Sequence, residues 1–207
     1  MIKISPSILN AVNRIESTKK LNNTNADYLH IDVMDGKFVN NLQFPINEIE
    51  EIEKISKIPL DVHLMVENPE TYINELKNKK IEFITFHIEV NQNINNLISL
   101  IKSFGYKVGI SLKPNTKIES LIPYIDNIDL VLIMSVEPGL GGQEFIPSSI
   151  DKAKNIRKLN HNIIIEMDGG IKNTNIKELK NTIDIAVVGS YITNSENYNE
   201  AINNLKN

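Results

Sequence analysis

Eight short apolar runs recur along this chain, each followed by a longer polar stretch. That alternation restricts the fold more than any other feature. The runs predict strands at 2–5, 27–34, 59–65, 82–88, 107–112, 129–135, 163–168 and 184–189. The intervening stretches carry helical spacing. Ile46, Ile49, Ile52 and Ile55 share one helix face, as do Ile94, Leu97, Ile98 and Ile101. Gly105 sits where a helix C-cap glycine belongs, and Asn68 followed by Pro69 reads as an N-cap and first helical residue. "IPSSIDKAKNIRKL" and "ENYNEAINNLK" read as further helices. Strands alternating with helices predict parallel βαβ units. Eight such units in 207 residues predict an α/β fold, a single (β/α)8 TIM barrel spanning residues 1–207, ahead of a doubly wound open sheet. No linker or low-complexity segment divides the chain.

Composition narrows the function. The net charge is −4, with no basic cluster beyond the doublets Lys19-Lys20 and Lys79-Lys80, which argues against a nucleic-acid partner. Cysteine is absent, so disulfides and thiolate chemistry are excluded. No apolar run is long enough for a membrane span, and "MIKISPSIL" has no signal-peptide architecture. A soluble cytoplasmic protein with no membrane partner is the expectation.

The polar residues inside the predicted strands are the chemical signal. "YLHIDVMDG" alternates Leu29, Ile31 and Val33 with His30, Asp32 and Met34. His63 closes the third run in "DVHLMV" and Asp168 the seventh in "IIIEMDGG". In a barrel, strand C-termini converge on one mouth. His30, Asp32, His63 and Asp168 together therefore predict a site for one divalent cation, with Zn2+, Fe2+, Mn2+ and Co2+ all chemically suited. His87 is read as a structural hydrogen-bonding group near a strand end, with contact to the ligand set as the second reading, and His161 as solvated. Glycine turns follow the last three strands: "EPGLGGQ" at 137–143, "DGG" at 168–170 and "VGS" at 188–190. Such turns bring backbone N–H groups close to an anion and predict a phosphate site. The 137–147 loop is long enough to fold over a substrate as a lid. Met34, Met65 and Met134 fall at strand ends and predict an apolar collar around the cation.

The stretches "ISPSIL", "YLHIDVMDGKFVNN", "LDVHLMVENPE", "ITFHIEV", "VGISLKPNT", "LIMSVEPGLGGQEFIP", "IEMDGG" and "VVGS" resemble, in order, the ribulose-phosphate 3-epimerase family. The resemblance implies a metal-dependent barrel that interconverts D-ribulose 5-phosphate and D-xylulose 5-phosphate in the pentose phosphate pathway. It implies that His30, Asp32, His63 and Asp168 are the metal ligands, and that Asp32 and Asp168 are the catalytic acid–base pair. Substrate contacts are implied at Ser7, His63, Asp168, Gly139, Leu140, Gly141, Gly142, Gly169, Gly170, Gly189 and Ser190. The family also suggests a homo-oligomer. The chain departs from the family's usual pattern at Lys37 and Asn40 in "DGKFVNN", at Pro45 and Ile46 in "FPI" where the family has "FGP", and in "NAVNRI", which lacks the acidic residue the family often carries after "SIL".

An epimerisation next to a ketone removes a proton from one face of a carbon and returns one to the other. Two carboxyl groups flanking C3 suit that task, with a planar cis-enediolate between the transfers. A six-carbon substrate such as D-allulose 6-phosphate would need the same chemistry. Two other readings compete: a Schiff-base aldolase, for which Lys113 is the one candidate lysine, and a non-catalytic sugar-phosphate-binding barrel.

Overall fold

The computed structural model describes all residues, 1–207. The elements run β1 (Lys3–Pro6), α1 (Arg14–Leu21), β2 (Leu29–Asp35), β3 (Leu42–Gln43), α2 (Ile46–Ile55), β4 (Leu60–Met65), α3 (Pro69–Glu75), β5 (Ile81–His87), α4 (Ile94–Ser103), β6 (Lys107–Leu112), β7 (Leu130–Met134), α5 (Ser148–Leu159), β8 (Ile164–Asp168), α6 (Ile176–Leu179), β9 (Ile185–Val188), α7 (Ser190–Thr193) and α8 (Tyr198–Lys206). All eight expected strands form, with ends shifted by at most two residues. The ninth, β3, is a two-residue antiparallel addition to β2, too short to leave a periodic signal. Between β6 and β7 a single 3-10 turn, Ile118–Leu121, takes the place of a helix.

The strands form one curled sheet in the order β1-β9-β8-β7-β6-β5-β4-β2-β3, parallel throughout except for the β2–β3 pair. One isolated parallel bridge links Ser7, just past β1, to His30 on β2. Most strand residues are buried on both faces, as a sheet covered by helices requires. Residues facing the helices build a core of 48 buried side chains. Ile49 and Ile52 of α2 and Ile94, Leu97, Ile98 and Ile101 of α4 enter it. Ile46 and Ile55 are only half-buried at the ends of their helix.

Capping explains part of the asparagine content. The side chains of Asn13, Asn93 and Asn197 accept hydrogen bonds from the third backbone N–H of α1, α4 and α8. Asn68 precedes α3 as expected but does not cap it with its side chain, whose Oδ1 instead accepts from Gln92 Nε2 at 2.9 Å. Gly105 has φ +83° and closes α4 in the left-handed conformation. No helix is long and apolar enough to cross a membrane.

Candidate active site

Strand alternation sorts the polar groups onto the inner face of the sheet. On β2, Leu29, Ile31 and Val33 join the helix-facing core, leaving His30, Asp32 and Met34 inside. On β4, Leu60, Val62 and Leu64 do the same and leave Asp61, His63 and Met65. The parallel register pairs His30 with Asp61, Asp32 with His63, and Met34 with Met65. Two acid–imidazole rungs thus lie under a rung of methionines. On β8, Asp168 pairs in register with Met134 of β7.

His30, Asp32, His63 and Asp168 each offer a ligand atom within 4.8 Å of the others. Asp32 Oδ1 lies 3.3 Å from His30 Nε2 and 3.4 Å from His63 Nδ1. Ser7 Oγ donates to the other oxygen, Oδ2, at 2.7 Å. Burial pushes the Asp32 carboxyl upward, but the His30 and His63 rings outweigh it and hold Asp32 far below the usual carboxylate range. Asp168 has no such partners. Burial, reinforced by the charge of Asp32, pushes it up to about 7.

Beneath this group, His30 Nδ1 sits 2.6 Å from Asp61 Oδ2, which also accepts from Ser5 Oγ at 2.9 Å. Burial pulls His30 down, yet Asp61 and Asp32 together raise it well above the ordinary imidazole value. Its Nε2 is buried with no hydrogen-bond partner. A histidine held at one nitrogen by a carboxylate, with the other making no hydrogen bond and turned toward Asp32 Oδ1 at 3.3 Å, has the form of a metal ligand. Two imidazoles and two carboxylates also suit a divalent cation. The residues present therefore fit a metal ion, and nothing in the donor set selects which one.

Asp32 and Asp168 open into a cavity of about 550 Å³. Met34, Met65 and Met134 line it beside them, as do Ser7, Gly139, Leu140, Gly141, Gly142, Gly169, Gly170, Gly189 and Ser190. Met34 and Met65 pack together with Val39, while Met134 packs in a separate cluster with Val136. His30 and His63 are fully buried and lie behind the cavity wall, not among the lining residues. Leu140 is exposed at the rim of the 137–147 loop. Gln143 Nε2 donates to the carbonyls of Glu137 and Leu140, and Asn41 Nδ2 to that of Gly139. Gly169 and Gly170 adopt φ +120° and +65°. A Cβ on Gly170 would lie 2.5 Å from the backbone nitrogen of Phe145, so the turn needs glycine for both conformation and closeness.

The remaining histidines and the departing positions separate by location. His87 is buried, with Nε2 2.9 Å from His63 Nε2 and Nδ1 3.1 Å from Glu89 Oε2. It is both hydrogen-bonded and in contact with the ligand set. His161 is exposed. Lys113, the lysine singled out for a Schiff base, lies outside the cavity, with Nζ 4.1 Å from the Phe38 ring centre; the lysine that lines the cavity is Lys172, past the β8 glycine turn. Lys37, Asn40 and Pro45 are all exposed.

Four charged or hydroxyl groups join the site's surroundings without having been singled out in the sequence: Asp61, Glu166, Glu89 and Ser5. Two of them carried a readable signal. Asp61 precedes His63 by two positions and Glu166 precedes Asp168 by two, so strand alternation places each on the same inner face. Both are fully buried. The opposition of Asp61 to His30 depends on register, which no local pattern reveals.

Paired carboxyl groups facing one cavity at the C-terminal ends of parallel strands suit the movement of protons at a carbon centre, and the family match makes the protein an isomerase, an epimerase. The chain belongs to the ribulose-phosphate 3-epimerase family, whose model matches residues 3–193. It is 38% identical over 216 residues to the ribulose-phosphate 3-epimerase of Helicobacter pylori, covering all of this chain and 97% of that protein. It is 35% identical to that of Bacillus subtilis, covering 100% and 99%. The cytoplasmic isoform from Oryza sativa is 38% identical over 99% of this chain and 92% of its own length. Among solved structures, KGPDC from Streptococcus mutans superposes with a TM-score of 0.77 over 100% of this chain and 96% of its own, at 11% identity. That likeness concerns the fold alone.

Proposed function

We propose that this epimerase interconverts D-ribulose 5-phosphate and D-xylulose 5-phosphate, with Asp32 and Asp168 as its acid–base pair, a step of the pentose phosphate pathway. The observation that carries the reading is the convergence of these two carboxyl groups on one cavity, backed by two buried imidazoles. Asp32 in its ionised form takes the proton from C3 on one face of the sugar. The electron pair left behind spreads over the oxygens on C2 and C3 as a planar enediolate. Asp168 in its protonated form returns a proton to C3 on the other face, and the roles reverse with direction. Ser7, donating to Asp32 Oδ2, aims the carboxylate.

His30, Asp32, His63 and Asp168 would hold a divalent cation, with His30 presenting Nε2 because Asp61 occupies Nδ1. When bound, the cation supplies Lewis-acid stabilisation of negative charge on the sugar oxygens. Met34, Met65 and Met134 keep water from the carbanion side of the cavity. The turns at Gly139–Gly142, Gly169–Gly170 and Gly189–Ser190 offer backbone N–H groups to the phosphate, and the 137–147 loop covers it. The 1–207 chain acts as one domain, and the Ser7–His30 bridge supports closure of the eight parallel strands into a barrel.

Incubation of D-ribulose 5-phosphate in deuterium oxide tests the reading. One solvent deuteron enters at C3 per turnover, product appears as the xylulo epimer, and a chelator abolishes both until a divalent cation is restored. Epimerisation without exchange at C3 would overturn the proton-transfer mechanism. Turnover of D-allulose 6-phosphate in clear preference would move the assignment to the six-carbon sugar.

A further inference from the structure

We infer that Lys172 is the side-chain cation that recognises the phosphate group of the substrate, and so sets affinity rather than chemistry. The inference rests on the sugar-phosphate reading of the cavity and deepens it. Of the side chains that line the cavity, four end in carboxyl groups, Asp32, Asp168, Glu137 and Glu144, and the single lysine or arginine is Lys172. The two aspartates belong to the cluster with His30 and His63. Glu137 and Glu144 stand on the 137–147 loop, whose Gln143 carbonyl and Phe145 nitrogen lie against Gly170. A phosphate dianion entering there meets the negative charge of that loop, and the glycine turns offer it only the partial charges of backbone N–H groups. Lys172 is the one full positive charge that a side chain brings to the same wall. An ammonium acts on phosphate as a point charge, with no need for the planar two-point fit of arginine.

The turn that carries Lys172 is held by its neighbours. The Lys172 N–H donates to Asn175 Oδ1 at 2.9 Å, and Asn175 Nδ2 donates to the Gly170 carbonyl at 3.0 Å. The Lys172 carbonyl accepts from the N–H groups of Asn175 and Ile176 at 3.1 and 3.0 Å. Backbone on both sides of the Cα is thereby tied, while the residue itself stays exposed. Ion pairs occupy Lys19, Lys79, Lys107, Lys154 and Lys206, whereas Lys172 has none. Glu144, on the loop packed against the same turn, leaves it unpaired. A free ammonium on a hydrogen-bonded base can meet a phosphate without first breaking a contact in the protein, which lowers the cost of binding.

Two measurements on Lys172→Met and Lys172→Arg test the inference. One is the split between KM and kcat for D-ribulose 5-phosphate. The other is titration with inorganic phosphate, followed by the amide 1H–15N shifts of Gly170 and Ser190. Lys172→Met keeps the apolar stem and removes the charge. It should raise KM and weaken phosphate binding each about tenfold, with kcat within about twofold of the wild type. The gap between the two proteins should narrow as ionic strength rises. Lys172→Arg keeps the charge and should stay within about threefold of the wild type in both measurements. Unchanged KM and phosphate affinity in the Met variant would overturn the inference. So would an Arg variant no better than Met. A Met variant that loses kcat at unchanged KM would overturn it as well, by placing the amine at the reacting carbon. Wild-type protein that binds phosphate at Gly170 and Ser190 but leaves D-ribulose 5-phosphate unconverted would instead overturn the proposed substrate, while the phosphate titrations still decide the role of Lys172.

Discussion

Asp32 and Asp168 face one cavity from opposite extremes of carboxyl acidity. The first is flanked by two imidazoles that override burial, while the second is left to burial and to its neighbour's charge. The difference comes from the strands that carry them. Register pairs Asp32 with His63 on β4, whereas Asp168 pairs with Met134 and Val187. An acid and a base are thereby made from one residue type.

Removing either carboxyl group should stop proton transfer without unfolding the protein. Asp32→Asn and Asp168→Asn are each expected to lower kcat by about 10³-fold or more, in the upper part of the range for general acid–base groups. Circular dichroism should remain that of the wild type. Full turnover in either variant would exclude that residue from the mechanism.

The pH dependence of metal-free stability follows from Asp168. Its folded value, about 7, lies above the ordinary aspartate value of about 3.9. As pH rises from about 4 to about 7, the unfolded chain releases a proton that the folded chain retains, so this group's contribution to stability falls across that window and levels off above it. Asp168→Asn removes the effect. In urea titrations of the metal-free proteins, the variant should gain on the wild type as pH rises from 5 to 8. A constant gap between the two curves would show that Asp168 titrates normally.

Asp61 should matter to metal affinity although it does not face the cavity. It holds His30 through Nδ1 at 2.6 Å. Asp61→Asn keeps the shape but loses the charge that orients and strengthens the ring. A loss of about 10–100-fold in Co2+ affinity is expected by isothermal titration calorimetry. Wild-type affinity would leave His30 positioned by the strand alone.

Gly170→Ala tests the turn proposed to hold the phosphate. The new Cβ would meet the Phe145 backbone nitrogen at 2.5 Å in a residue with φ +65°. Left-handed strain and overpacking together should cost about 2–4 kcal/mol of stability, read from denaturant midpoints. KM for the sugar phosphate should rise as the turn shifts. An unchanged midpoint would mean that the 143–145 segment yields freely.

Much of this was legible from residue order, and the reasons are particular. The eight strands announced themselves because both faces are buried and the helices between them keep their own period, as in Ile94 to Ile101. His30, Asp32, His63 and Asp168 stood out because charged groups inside apolar strands need partners. Glu89 stayed hidden because it lies just past β5, and its role depends on the fold of a loop more than twenty residues away, Lys113 to Thr116. β3 was hidden by its length, two residues paired only at the end of β2. The capping side chain of Asn68 was misplaced because Gln92, remote in sequence, draws it aside.

The four clustered acids and imidazoles are all fixed on strands, whereas the glycine turns that line the same cavity belong to the connecting loops. On the proposed reading, chemistry and recognition are housed in separate parts of the chain. Insertions or drift in the connections can retune which sugar is admitted while the proton-transfer apparatus stays anchored, an arrangement that lets specificity diversify without re-inventing catalysis.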